Sequence, residues 1–100
     1  MATGDIYVQV TATAEASQRA KSIVVLVPGK IVEDCRTAGK KTDERAIAQH
    51  LADPVAMYLF THRASFGRFR VARSFSPTPP AEIEGELPEF TRGDLKAWVL

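Results

Sequence analysis

The chain has 100 residues and a formal net charge of +1, and 45% of its residues are hydrophobic and 25% charged. This length allows one domain with one modest core, because a chain of this size buries roughly 60–70% of the surface that it exposes when unfolded. The composition excludes wholesale disorder, and the small net charge excludes a global attraction to DNA or to a membrane surface. Binding by charged side chains must therefore depend on their local arrangement.

The single cysteine, Cys35, excludes a disulfide within the chain. It predicts a reducing compartment, with a disulfide-linked dimer as the alternative. The first residues, MATGDIYVQV, hold no basic segment followed by an apolar one, so we do not expect them to act as a signal peptide. The longest apolar runs, IVVLV and VAMYLF, are far too short to span a bilayer. We therefore expect a cytoplasmic protein, or a virion component if the chain derives from a phage, without membrane contact.

The N-terminal part of the chain predicts β-structure. In DIYVQVTAT the residues are β-branched or aromatic at a period of two, with Ile6, Val8 and Val10 on one face. The polar segment AEASQRAK follows as a helical turn or a connecting loop. The apolar run SIVVLV then predicts a buried strand, and Pro28-Gly29 predicts a type II turn into another strand, KIVEDC.

A loop, TAGKK, separates these strands from a predicted helix, DERAIAQHLA. Acidic residues in its first turn are favoured by the helix dipole, and its apolar residues fall on one stripe, together with His50. Asp53-Pro54 predicts its end, because the residue before a proline is disfavoured in the α region.

The next segment, PVAMYLFTH, fits two structures. Asp53 as a cap, with Pro54 at the first helical position, predicts a second helix. Its aromatic content and the loop RASFG instead predict a strand that returns through a turn into RFRVARSF. We favour the strand hairpin.

A basic and aromatic stretch, RASFGRFRVARSF, occupies residues 63–75 and holds four arginines and three phenylalanines. As a strand over 68–75 it alternates between two faces. One face carries Phe69, Val71, Arg73 and Phe75, and the other carries Arg68, Arg70, Ala72 and Ser74. No acidic residue lies between Asp53 and Glu82, so no neighbour in the sequence neutralises the arginines.

This stretch supports three interpretations. In the first, the phenylalanines belong to the core and the arginines form a hydrated outer face. In the second, the stretch contacts an acidic protein partner. In the third it binds nucleic acid, with Arg63, Arg68, Arg70 and Arg73 on phosphates and Phe66 stacked on a base. The small net charge disfavours the third interpretation, because a dedicated phosphate binder carries a clearly basic surface.

From Ser76 onward the composition changes. SPTPPAEIEGELPEF contains four prolines and four glutamates, and it predicts an extended arm rather than a strand inside a sheet. Leu95, Trp98 and Leu100 supply an apolar anchor at its tip. A tryptophan that reaches a partner surface is a typical binding hot spot. The arm packs on its own domain or on a neighbouring copy.

No catalytic or metal-binding motif emerges from the sequence. AGKKT lacks the upstream glycine of a phosphate-binding loop and has Lys41 where that loop needs serine or threonine. Asp34 beside Cys35 disfavours a reactive thiolate. No residue lies at a spacing from His50 or His62 that is typical of a metal site or of a catalytic pair. We expect no enzyme activity, metal or cofactor.

These features together predict an α+β fold. It consists of a small, mostly antiparallel β-sheet of about five strands with one helix on a face in residues 1–75, and an extended Pro/Glu-rich C-terminal arm in residues 76–100. The predicted core residues are Ile6, Val8, Val10, Val24, Leu26, Ile47, Leu51, Leu59, Phe69 and Val71.

The predicted function is that of a non-enzymatic interaction or assembly subunit, of the kind found in phage particles or mobile elements, that forms homo-oligomers or joins a larger complex. The residues predicted to bind partners are Arg63, Phe66, Arg68, Arg70, Arg73, Leu95, Trp98 and Leu100. The alternatives are a small nucleic-acid-binding module that uses residues 63–75, and a small inhibitor that captures a host protein.

Overall fold

The computed structural model describes residues 4–63 and 67–100, except for the side chain of Arg63. Within these residues the chain forms a five-stranded antiparallel sheet with two helices on one face. The strands are β1 (Ile6–Ala14), β2 (Ala20–Val27), β3 (Phe69–Ser76), β4 (Phe90–Arg92) and β5 (Leu95–Val99). Their order across the sheet is β3-β1-β2-β5-β4. The predicted α+β class and the antiparallel sheet of about five strands are confirmed, but two helices pack on the sheet where one was predicted.

Strands β1 and β2 form a hairpin, paired from Ile6 opposite Val27 to Thr13 opposite Ala20. The segment AEASQRAK was predicted as a helical turn or a loop, and its residues 15–19 form the connection between the two strands. Its Gln18 has a φ of 59° and donates its backbone N–H to the carbonyl of Ala14 at 2.9 Å. The bounds of β1 confirm the strand that the period-two alternation of the sequence predicted.

Helix α1 (Gly29–Thr37) stands where the sequence predicted a turn and a second strand. Pro28 precedes the helix with extended backbone, and the N–H of Gly29 donates to Oδ1 of Asp5 at 2.8 Å. This bond satisfies one of the N–H groups that a helix start leaves unpaired. The strand prediction was wrong because it weighed the β-branched residues of KIVEDC above the helix-start signal of the proline.

Helix α2 is continuous and has three parts, which are α-helical Glu44–Ile47, π-helical Ala48–Ala52 and α-helical Asp53–Arg63. The predicted end at Asp53-Pro54 and the favoured strand beyond it were both wrong. Pro54 has no N–H to donate to a preceding carbonyl, and the π-helical turn directly before it lets the helix accommodate the proline. The side chains buried beyond the proline repeat at helical spacing, as Val55, Ala56, Leu59 and Phe60.

The main core lies between the two helices and one face of the sheet. Of the predicted core residues, Val8, Val10, Ile47 and Leu59 are buried in it, and Ile6, Leu51, Phe69 and Val71 are half-buried against it. The other two, Val24 and Leu26, belong to a smaller cluster on the opposite face.

The extended C-terminal arm does not form. After β3 the chain makes a short 3-10 turn, Ala81–Ile83, and then adds β4 and β5 to the sheet beside β2. The prediction was wrong because the composition of the proline-rich segment was extended to the residues that follow it. Gly93, with a φ of 60°, and Asp94 close a two-residue hairpin between β4 and β5, and such a loop is a strong hairpin signal.

Candidate functional site

The sheet face turned away from the helices, which we call the open face, has two unlike halves. On β2 and β5 it carries Val24 and Trp98, and Ile83 of the 3-10 turn packs on both. On β1 and β3 it carries Gln9, Thr11, Thr13, Arg70, Ala72 and Ser74. The first half holds an apolar cluster that the chain itself covers, whereas the second is mostly polar. The segment between β3 and β4 therefore covers only part of this face.

Trp98 belongs to the covered half and is only 9% exposed. Its Nε1–H donates to the carbonyl of Glu86 at 3.1 Å. Leu95 is half-buried and packs against the core on the helix side, and Leu100 is 39% exposed. The three apolar residues predicted as one anchor therefore do not share a surface, because Leu95 and Trp98 lie on opposite faces of the sheet.

Arg73 lies on the helix side of β3 and forms a bidentate ion pair with Asp53 of α2. Its Nε donates to Oδ1 at 2.9 Å and its terminal nitrogen to Oδ2 at 2.6 Å. These hydrogen bonds, helped by the charge of Asp53, raise the pKa of Arg73 above its usual value despite partial burial, which lowers it. The sequence placed Arg73 among apolar side chains on one face of β3, and this is the face that the helices cover.

Arg68 and Arg70 are exposed, and no ion pair joins either of them to another residue in the described part of the chain. Arg70 lies opposite Thr13 of β1. Arg68 directly precedes β3, and its carbonyl accepts the N–H of Glu15 at 3.1 Å. The structure thus places two of the four predicted arginines near each other, with Arg73 on the other side of the sheet.

Two predicted site residues lie partly or wholly outside the described residues. Arg63 is the last residue of α2, and its side chain lies outside the described part. Phe66 lies outside the described residues altogether.

Strand β3 forms one edge of the sheet in the part of the chain that the structure describes. Because the carbonyl of Arg68 points toward β1, the alternation of an antiparallel ladder turns the backbone groups of Val71, Arg73 and Phe75 outward. An edge with outward N–H and C=O groups is a template on which another extended chain can pair. β3 therefore offers backbone groups and arginines at the same place.

A cleft of about 530 Å³ opens between α2 and β3. Its charged lining residues are Glu44, Arg45, Asp53 and Arg73. These carry two positive and two negative charges, so the cleft has no charge surplus that would select an ionic ligand.

The described residues contain no group of three or more histidine, cysteine or acidic side chains that could hold a metal ion. The Nδ1–H of His62 donates to the carbonyl of Tyr58 at 2.8 Å, and the two rings stack at 4.1 Å. Cys35 is a half-buried free thiol. In the described ranges no helix has the length and apolar character needed to cross a bilayer.

Comparison with known proteins adds no relative to this geometry. No protein-family model matches the chain, and neither a curated protein nor a solved structure matches it.

Proposed function

We propose that this chain is a non-enzymatic interaction or assembly subunit that takes up an extended acidic segment of a neighbouring protein along β3. One observation carries the proposal. Arg68 and Arg70 are exposed at an edge strand whose backbone groups point outward, and no acidic side chain in the described part of the chain pairs with them.

Strand addition explains why both features occur together. Main-chain hydrogen bonds from the outward groups of Val71 and Phe75 supply affinity, and the side chains of the added strand supply specificity. Glutamates beside Arg68 and Arg70 form cross-strand pairs, each of which contributes roughly 0.2–1 kcal/mol. On the other face, alternate apolar residues of the added strand extend the half-buried row of Val71 and Phe75.

The same charges disfavour pairing of β3 with the β3 of a second copy. Two such edges would bring four arginines together, and like charges across a sheet edge are a common protection against edge-to-edge aggregation. The expected occupant of β3 is therefore acidic and different from β3 itself.

The nucleic-acid alternative has less support. Single-strand binders use aromatic rings on which bases stack. Among the described residues of the open face the aromatic rings are Trp98, which shares a buried cluster with Ile83, and Tyr7, which packs against that cluster. A role as an inhibitor of a host protein would use the same β3 surface, with the acidic segment supplied by the host protein.

Titration of the labelled full chain with a synthetic peptide that alternates glutamate with valine tests the proposal. We expect amide shifts that centre on β3 and an affinity that falls as salt rises. The double charge reversal Arg68→Glu/Arg70→Glu should abolish binding. The matched control, Lys30→Glu/Arg92→Glu, makes the same charge change at exposed residues away from β3 and should retain it.

A peptide that alternates lysine with valine should not bind. If the glutamate peptide fails to bind even at low salt, or shifts residues other than β3, the proposal is wrong. If a single-stranded oligonucleotide binds instead and depends on Arg68 and Arg70, the nucleic-acid alternative replaces it.

A further inference from the structure

Leu87 is 86% exposed, far more than Tyr58 at 45% or Leu100 at 39%, the other large apolar side chains exposed in the described part of the chain. It follows the exposed residues Glu84 and Glu86 in the loop that leads to β4. Burial of such a side chain in a partner is favourable. The loop thus presents an apolar group surrounded by carboxylates.

Backbone hydrogen bonds hold this loop on both sides of Leu87. The N–H of Glu86 donates to the carbonyl of Ile83 at 2.9 Å, and that of Glu89 donates to the carbonyl of Ala97 at 2.9 Å. Gly85, with a φ of 81°, completes a type II turn from Ile83 to Glu86. A held loop loses little entropy when it binds, so Leu87 is preorganised for a partner.

A cavity of about 570 Å³ opens beside α2 and has the complementary chemistry. Ala46, Ile47 and Leu51 form an apolar wall, and Lys40 and Lys41 supply positive charge. No carboxylate lines it. Its volume lies in the range of about 300–1,000 Å³ that is typical of binding pockets. An apolar group flanked by carboxylates matches this cavity in its apolar wall and in its charge.

One copy cannot fill its own cavity with its own Leu87. The loop lies on the open face, where the indole of Trp98 holds the carbonyl of Glu86. The cavity lies in the helix layer, where Ile47 belongs to the main core. The sheet separates the two.

We infer that copies of this chain bind one another, with Leu87 of one copy in the Lys40–Lys41 cavity of the next. Glu84 and Glu86 then face the two lysines. The contact joins two unlike surfaces, so it is heterologous and forms either a ring or an open chain of subunits.

This inference rests on the proposed function in so far as both make the chain an assembly subunit. It uses neither Arg68 nor Arg70, so peptide binding at β3 and self-association fail separately.

Sedimentation of the full chain over a concentration series measures self-association. We expect the wild-type mass to rise with concentration and Leu87→Asp to weaken association by about 100-fold or more, because a charge replaces a buried leucine. Leu100→Asp makes the same chemical change at another exposed leucine and should leave association unchanged. Thermal unfolding of both variants checks that the fold is retained.

Mixing two defective variants tests whether the interface is heterologous. Leu87→Asp keeps the cavity intact, and Lys40→Glu/Lys41→Glu keeps the loop intact. Each should be monomeric alone. Their mixture should form a dimer of one copy of each variant that does not grow further, because the remaining loop and cavity are both defective.

Cys35 lines the same cavity and is the only cysteine of the chain. A Leu87→Cys variant should therefore form disulfides between copies when oxidised with diamide. Since each copy then has one thiol on the loop and one in the cavity, a denaturing gel should show dimers, trimers and larger species. Leu87→Cys/Cys35→Ser should not form this series, because its loop thiol then faces a serine in the cavity of the next copy.

Three results overturn the inference. They are a wild-type chain that stays monomeric at every concentration, an association that Leu87→Asp leaves unchanged, and a variant mixture that forms no dimer. If self-association is lost on Leu87→Asp while the glutamate peptide still fails to bind β3, the inference stands and only the β3 contact is wrong.

Discussion

The two halves of the open face belong to one sheet, but the chain covers one half itself and leaves the other exposed. Over β2 and β5, Val24 and Trp98 are apolar, and the chain supplies its own cover through Ile83. Over β1 and β3 the side chains are mostly threonine, serine, glutamine and arginine, and Arg70 remains exposed. The difference shows that side-chain chemistry decides which part of a sheet the chain buries itself and which part it leaves to solvent or to another molecule.

Substitution of Trp98 should give the largest effect, because the covered half depends on its burial. We expect Trp98→Ala to lower the free energy of unfolding by about 3 kcal/mol. Urea unfolding followed by circular dichroism measures it. The control, Gln9→Ala in the polar half, should cost less than about 0.5 kcal/mol. A cost below about 1 kcal/mol for Trp98→Ala would mean that Ile83 does not form a true cover.

Gly85 tests the turn that follows Ile83. Nothing lies within 4 Å of a Cβ added there, so the cost of Gly85→Ala arises from its positive φ of 81° alone. We expect a loss of about 1 kcal/mol in unfolding free energy. Gly4→Ala is the matched control, because its surroundings are equally open and its φ is not positive. Equal effects at the two glycines would contradict the turn geometry.

A hydroxyl pair on the open face, where β1 and β2 meet, should give effects well below that of Trp98. Thr11 Oγ1 and Ser22 Oγ lie 2.8 Å apart across β1 and β2. We expect Thr11→Val and Ser22→Ala to cost about 0.5–1.5 kcal/mol each and the double variant less than their sum, since the second removes a bond already lost. A double-mutant cycle on unfolding free energies measures the coupling. Strict additivity would show that the two hydroxyls do not interact.

The fold was predictable where the sequence had a clear period. β1 follows from strict alternation, and β3 from the Phe69–Val71–Phe75 row. Beyond Pro54 a helix was one of two predicted structures, and the aromatic content wrongly favoured the strand. The continuity of α2 through Pro54 was missed because a proline normally ends a helix, and no local pattern reveals that a π-helical turn will precede it. Strands β4 and β5 were missed because the extended structure predicted for the proline-rich segment before them was also assigned to them.

The candidate site was predictable in part for a similar reason. The exposure of Arg70 and the position of Arg73 among apolar residues follow from the alternation of side chains between the two faces of a strand. The pairing of Arg73 with Asp53 needs the helix that runs past β3, and this contact between distant residues has no local signal. Leu87 lies in a glutamate-rich segment, and only the structure reveals that it points to solvent rather than to the core.

The central position of β2 also constrains how the chain folds. Val24 pairs with Gln9 through a short connection, but its other neighbour, Trp98, lies far along the sequence. Closing that long loop costs entropy before its contacts form, so β5 should dock late in folding. Until then, the apolar strand SIVVLV is an unpaired edge, which is the kind of surface through which folding intermediates aggregate. A slow last step would therefore make yield on refolding depend on protein concentration.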